Sequence, residues 1–330
     1  MNQPNPPSAW VLTDGKAGDE TQCVGVVEAM GLAPEIRRVA PRKLFALAMP
    51  WGPVDPAEAP GKAGSPIAPP FPDLVIASGR RAIPYVRAVK RASRGRTFTV
   101  ILKDPRTGAG SADLIWVPEH DRLRGPNVIA TLTAPHRIST QRLAAARAAP
   151  DPRLAELPGP RVAVLAGGDS RHHRFTPEDA DRLARHLEDL AATGASLMMT
   201  ASRRTPETLA RRLRALAGQG RGFYWDGTGE NPYLAMLALA DFIVVTADST
   251  NMISEAAATG VPILVFEPSG GHAKISAFIA ALTHRGIVRP FSGMLEGATY
   301  EPLDTTPAIA GATAAAIAWH RASLEARRAG

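Results

Sequence analysis

Four short loops hold most of the chemistry in this chain, and each follows an apolar run. Gly167-Gly168-Asp169-Ser170-Arg171-His172-His173-Arg174 combines two small residues, a hydroxyl and guanidinium charge. Such a set lets a backbone approach a phosphate and hold it. Ser202-Arg203-Arg204-Thr205 repeats the hydroxyl and the arginines, with a plain surface arginine pair as the competing reading. Ser249, Thr250 and Asn251 follow the run Phe242–Thr246 as capping residues. Their neighbouring amides would offer partial positive charge to a diphosphate. Glu255 stands roughly a turn further into the ensuing helix, where it either reaches the sugar hydroxyls of a nucleotide or serves the helix start. Near the beginning, Asp14-Gly15-Lys16-Ala17-Gly18-Asp19 sets Gly15 and Gly18 among charges ahead of a helix. Either an anion loop or a structural turn fits it.

Several chemistries drop out. No G-x-G-x-x-G or P-loop spacing occurs, which argues against a dinucleotide cofactor, against a nucleotide-sugar epimerase or other Rossmann oxidoreductase, and against a Walker-type site. The adjacent His172 and His173 would not face one ion and have no carboxylate spaced to join them, so no metal is expected. The single cysteine, Cys23, excludes a disulfide framework and a multi-cysteine cluster.

These loops need strands behind them and helices after them. Apolar runs at Trp10–Leu12, Ile36–Val39, Leu74–Ala77, Thr97–Leu102, Leu114–Val117 and Val128–Ala130 read as strands of a first series. A second series covers Val162–Ala166, Leu197–Thr200, Gly222–Trp225, Phe242–Thr246 and Ile263–Phe266. Helix-length segments separate the runs, which predicts βαβ crossovers and parallel sheets. The fold class is therefore α/β, with two doubly wound Rossmann-like domains. Thr176-Pro177, Thr205-Pro206 and Asn231-Pro232 are read as N-caps ahead of a first-turn proline. Gly260-Val261-Pro262 reads as a helix stop entering the next strand. The domains are expected at 1–145 and 155–305, followed by a C-terminal helix at 306–330 that packs back on the first. Eight prolines between Pro50 and Pro72 predict a long surface loop.

With 330 residues, 45% of them hydrophobic and 21% charged, two packed cores are affordable and disorder is not expected. The net charge of +7 rests on 38 basic residues, only six of them lysines. It reads first as Ala/Arg-rich composition, so no nucleic-acid partner is expected. Met1–Trp10 shows no secretory pattern, and the best apolar run, Tyr233–Val245, is broken by Asp241. A cytoplasmic protein is expected, with peripheral contact to an anionic membrane on its inner face left open.

The segment from Ala240 to Pro262 looks like the nucleotide-sugar segment of two-domain GT-B glycosyltransferases, of which the peptidoglycan N-acetylglucosaminyltransferase is a well-known form. The whole chain resembles the bacterial branch of the mitochondrial fission factor-like family, whose plant members recruit dynamin. Its landmarks are Leu12–Gly18, Val117–Asp121, Pro126–Ile129, Ser202–Pro206, Asn231-Pro232-Tyr233 and Arg289–Gly293. The resemblance implies a GT-B fold binding the acceptor in the first domain and a nucleotide-diphosphate sugar in the second, across a cleft that closes. It implies Gly167, Gly168 and Ser170 on the diphosphate, joined by Ser249 and Thr250 at a helix start, and Glu255 on the ribose. Trp225 and Asp226 would receive the base, and no metal or other cofactor is needed. Such relatives place a His or Asp after the first strand as general base. Asp14 and Asp19 stand there, with His120 as the alternative and Asp19 ranked narrowly ahead of it. The acceptor is unnamed, with an envelope or lipid-linked glycan in view. A non-catalytic adaptor that binds a protein partner is the second reading.

Overall fold

The computed structural model describes residues 7–218 and 222–329; most of the Met1–Trp10 segment lies outside them. Contacts divide the chain into two compact units, Met1–Arg137 with Thr305–Gly330, and Ile138–Asp304.

The first unit is built on β1 (Ala9–Thr13), β2 (Pro34–Arg38), β3 (Leu74–Ser78), β4 (Phe98–Leu102), β5 (Leu114–Pro118) and β6 (Val128–Thr131). They form one sheet in the order β2-β1-β3-β4-β5-β6, with every pairing parallel. β1, β3 and β4 are buried along their whole length, because helices cover both faces, and this is why they read as unbroken apolar runs. α1 (Ala17–Ala29), α2 (Lys43–Ala48) and α3 (Ile83–Ala92) follow the first three strands.

The second unit starts with α4 (Thr140–Ala148) and α5 (Pro152–Ala155). Its sheet joins β7 (Arg161–Ala166), β9 (Ser196–Ala201), β10 (Gly222–Trp225), β11 (Phe242–Thr246), β12 (Ile263–Phe266) and β14 (Val288–Pro290). The order is β10-β9-β7-β11-β12-β14, again all parallel. A two-residue ribbon, β8 (His173–Arg174) against β13 (Ser269–Gly270), ties the loop after β7 to the loop after β12. β8, β13 and β14 were not visible as strands in the sequence: each is two or three residues long and carries no period. The helices are α6 (Pro177–Ala192), α7 (Glu207–Ala217), α8 (Tyr233–Leu239), α9 (Thr250–Ala257) and α10 (Ala273–His284).

The caps sort by where their side chains go. Thr176 and Asp179 form a reciprocal capping box with Pro177 in the first turn, as their spacing predicts. Thr205 does not cap α7; its hydroxyl donates to the carbonyls of Ala166 and Gly167, and Pro206 takes the cap position. Asn231 likewise lies one residue before the cap, and its Oδ1 accepts the Tyr233 amide at 3.0 Å. Gly260, at φ +80°, makes the turn toward β12.

α11 (Thr306–Ala329) returns the chain to the first unit. Ile309, Ala310 and Ile317 sink into the core with Val26, Val27 and Trp116. The proline-rich stretch is not the plain surface loop that its composition suggests. Ile67 is fully buried beside Met49 and Tyr85, and Asp55 is clamped by Arg42. The Arg42 hydrogen bond holds the Asp55 carboxyl well below the usual carboxylate range. Prolines remove donors and regular structure, but they do not keep a segment from packing.

Candidate functional site

Ligands of open parallel sheets gather beyond the carboxyl ends of the strands, where the strand order reverses. That point falls between β7 and β11 in the second unit and between β1 and β3 in the first.

In the second unit a single carboxylate organises the crevice. The Asp248 side chain is fully buried. It accepts from Thr246 Oγ1 at 2.7 Å, from the Gly168 amide at 3.1 Å and from the Arg204 guanidinium at 3.0 Å. Thr246 Oγ1 in turn accepts the Gly167 amide at 2.7 Å. Gly167 and Gly168 were expected to turn their amides to a phosphate, yet one amide is taken up by Thr246 at the end of β11 and the other by Asp248 in the turn after it. A Cβ on Gly167 would run into the Asp248 carboxylate, and one on Gly168 into the Arg204 carbonyl. The glycines serve close packing of three loops. Arg204 is also committed inward, donating to the carbonyls of Gly168 and Asp169. Ser170 Oγ accepts the amides of His172 and His173, and Ser202 Oγ accepts the amide of Arg204. Arg171 and Arg203 remain exposed at the rim.

α9 begins beside this cluster. Ser249 is its N-cap, with Oγ accepting the Met252 amide at 3.3 Å, and Thr250 and Asn251 form the first turn. Further along α9, the Glu255 carboxylate accepts the Tyr233 hydroxyl at 2.6 Å. Burial pushes the Glu255 carboxyl up to about 7, against the Tyr233 hydrogen bond, which lowers it. Glu255 is therefore no N-terminal cap; it is half-buried and poised between its two charge states near neutrality. Trp225 donates its indole N–H to the Thr228 carbonyl, and Asp226 accepts from the Thr228 amide and hydroxyl. Both belong to a local turn at the end of β10, and Asp226 is exposed. Beyond β12, the rings of His172 and His272 meet at 4.2 Å, and His272 caps α10 by accepting the Lys274 amide. No group of metal-ligating side chains occurs among the described residues.

In the first unit, Gly15 at φ +84° shapes the turn after β1, and its amide donates to Thr13 Oγ1. Gly18 lies within the first turn of α1 and not in the loop. Asp19, also in that turn, accepts from Ser78 at 3.0 Å and from Lys103 at 2.5 Å. A Cβ on Gly79 would stand 2.9 Å from the Asp19 carboxylate. Lys103 reaches over from the end of β4 in a left-handed conformation, φ +75°, which is uncommon for a non-glycine residue and clusters at functional positions. Burial raises the Asp19 carboxyl, but the Lys103 charge and hydrogen bond, the Ser78 hydrogen bond and the Lys16 charge outweigh it, and the net shift is downward. A carboxylate held in its charged form is a poor proton acceptor, so Asp19 fits a positioning role better than the base role expected of it. Asp14 differs. Its side chain is 2% exposed, with Oδ2 on Lys16 at 2.9 Å and Oδ1 buried without a hydrogen-bond partner. His120 sits in the turn after β5, the strand next to β4, outside this cluster.

Tyr233, Asp248, Ser78 and Lys103 are the site residues that sequence reasoning missed. Tyr233 stood in a recognised landmark and Asp248 directly before the capping run. Ser78 and Lys103 share one detectable signal, a polar residue directly ending an apolar strand.

Residues 17–317 match the sequence profile of the family described as Mitochondrial fission ELM1. Among curated relatives, the Mitochondrial fission protein ELM1 of Arabidopsis thaliana is 32% identical over 262 residues, covering 71% of this chain and 61% of its own. An uncharacterized protein of Rickettsia prowazekii (strain Madrid E) is 32% identical over 157 residues, covering 45% and 44%. The chain thus spans less than two thirds of the length of either relative. Among solved structures, a putative UDP-N-acetylglucosamine 2-epimerase from Listeria monocytogenes superposes with a TM-score of 0.55 at 12% identity, covering 96% of this chain and 97% of that one. The UDP-GlcNAc 2-epimerase from Methanocaldococcus jannaschii, in complex with UDP-GlcNAc and UDP, gives 0.51 at 11%, covering 93% and 98%. Both carry the name of a nucleotide-sugar epimerase, the class set aside on the missing dinucleotide glycines, and at 12% and 11% identity they bear on the fold alone. At these identities the likeness shows the fold, two Rossmann-like domains of the GT-B kind, and by the sequence match the chain belongs to the mitochondrial fission ELM1 family.

Proposed function

We propose that the protein is a metal-independent, glycosyltransferase-like member of its family. Its second unit binds a nucleotide-diphosphate sugar, and its first unit takes the acceptor, an envelope or lipid-linked glycan, at the inner membrane face. The observation that carries this reading is the Glu255 carboxyl on α9, held by Tyr233 on one oxygen beside the point where the strand order reverses. A carboxylate there can accept both hydroxyls of a ribose. The N-terminal amides of α9, with Arg171 and Arg203 at the rim, would meet the diphosphate and replace a metal as the source of positive potential. Trp225 and Asp226 are the candidates for the base. That one fold neighbour was solved with UDP-GlcNAc and UDP supports a ligand of this class.

Acceptor activation falls to Asp14 in this scheme. Its unpartnered buried oxygen is an acceptor for a donor hydroxyl, while Asp19, Lys103 and Ser78 hold the neighbouring loop in place. His120 is the alternative base, since the turn that carries it follows β5 at the same edge of the sheet.

Titration calorimetry with a panel of nucleoside-diphosphate sugars tests the donor reading. Binding that Glu255→Ala weakens at least about tenfold, the worth of one charge-assisted hydrogen bond, supports it. No binding to any member of the panel would overturn it and leave the fold as a scaffold for a protein partner.

A further inference from the structure

α2 is apolar on both sides. Ala46 and the following Met49 turn inward and are buried, and Phe45 packs on the same core. Leu44, Leu47 and Trp51 face outward, 81%, 73% and 64% exposed. A helix that is apolar all round is normally covered, and clustered large apolar side chains on a surface mark an interaction site. The strip is held firmly from beneath. Arg80 donates to the Ala46 carbonyl at 3.2 Å and Arg87 to the Pro50 carbonyl at 2.6 Å.

Beside the strip lies a hollow of about 720 Å³, lined by Trp51 and Pro53 and by Arg87, Lys90, Arg91 and Arg94. The four cations recur at the spacing of one helical face, on α3 and just past its end. Lys90 is paired with Asp113. Arg87, Arg91 and Arg94 have no carboxylate partner among the described residues. Burial and the Arg91 charge together hold the Arg87 guanidinium below its usual value, as expected where like charges crowd without a counter-ion. α3 runs back from the carboxyl end of β3 to the start of β4. Its basic half therefore lies toward the opposite edge of the sheet from Asp14 and Asp19.

We infer that this face of the first unit docks on a membrane leaflet carrying anionic phospholipid, with Leu44, Leu47 and Trp51 entering the headgroup boundary and Arg91 and Arg94 holding lipid phosphates. The pairing of an apolar ridge, one aromatic ring and unpaired guanidinium groups is the chemistry of interfacial binding. The assignment is independent of the nucleotide-sugar reading, and its test involves no nucleotide.

The full chain is sedimented with vesicles of phosphatidylcholine and with the same vesicles doped with phosphatidylglycerol, at low and high salt. Binding to the doped vesicles alone, weakened by salt, is the expected result. Arg91→Glu with Arg94→Glu, and separately Leu47→Ser with Trp51→Ala, should each weaken it at least about tenfold. Because all four side chains are exposed, the melting temperature should stay put, which separates lost docking from lost folding. Failure of the unaltered chain to bind doped vesicles would overturn the proposal, as would equal binding by both double variants. Capture of a poly-glutamate peptide without vesicle binding would also overturn it, in favour of an acidic protein segment.

Discussion

Each unit carries a key carboxyl at the carboxyl edge of a six-stranded parallel sheet, and its surroundings drive the two in opposite directions. Asp19 in the first unit is desolvated, yet Lys103, Ser78 and Lys16 hold it in the charged form. Glu255 in the second unit is desolvated with no cation to answer it, and its carboxyl rises to about 7. Burial acts alike on both groups; the presence of a cation decides the sign. The crevices differ in the same way: the first unit answers its buried carboxylates, Asp14 and Asp19, with lysines, and the second locks three loops around Asp248 and leaves Glu255 titratable. Groups whose environments push them apart are the usual sign of divided chemical roles.

The largest expected effect comes from breaking the buried anchor. Asp248→Ala leaves the Gly168 amide and the Arg204 guanidinium without their acceptor and should lower unfolding free energy by about 4 kcal/mol. Chemical denaturation checks this, and a loss under about 1 kcal/mol would mean the loops are held by other contacts.

Glu255→Gln sharpens the contrast next. The folded value is raised from the ordinary 4.5 to about 7, so the native state keeps a proton that the unfolded chain releases in between. Stability should therefore fall as pH rises through that window and level off above it. The variant should remove the slope and gain up to about 3 kcal/mol at pH 8 while changing little below pH 4. Under the nucleotide reading, the affinity of the unaltered protein for nucleotide should grow over the same window, as the carboxylate forms, and Glu255→Gln should flatten that profile.

Lys103→Met tests the other half. Asp19 lies below its ordinary value, so it adds stability above the unfolded pKa that is lost as pH falls through the folded one. With Lys103 half-exposed, its removal should cost about 1 kcal/mol at pH 7 after solvent screening. More tellingly, burial would then be opposed only by the Ser78 hydrogen bond and the Lys16 charge, so the Asp19 carboxyl should titrate higher than in the unaltered protein, a rise that carboxyl NMR would read directly. Lys16→Ala should cost a similar amount, about 1 kcal/mol by chemical denaturation, because Lys16 is largely exposed but the Asp14 carboxylate it holds is not.

Much of this architecture was legible beforehand. Buried runs such as Leu74–Ser78 and Ile243–Thr246 announce parallel strands because both faces must be apolar. Thr176 announces α6 because its capping box closes within four residues. The site was less legible. Glu255 could be placed near the end of β11, but its partner Tyr233 lies 22 residues away on another helix. Gly167 and Gly168 looked like a phosphate loop because two glycines permit close approach by anything, and in the fold what approaches is Asp248, some 80 residues on.

Sequence alone determined what is encoded locally: the period of the strands, the helix starts, the two α/β series and the family they belong to. The fold alone decided which loop groups face one another, and thereby which carboxylate is neutralised by a cation, which is locked by amides and which is left to titrate. Those outcomes depend on desolvation and on distances between residues far apart in the chain, quantities that no local pattern carries.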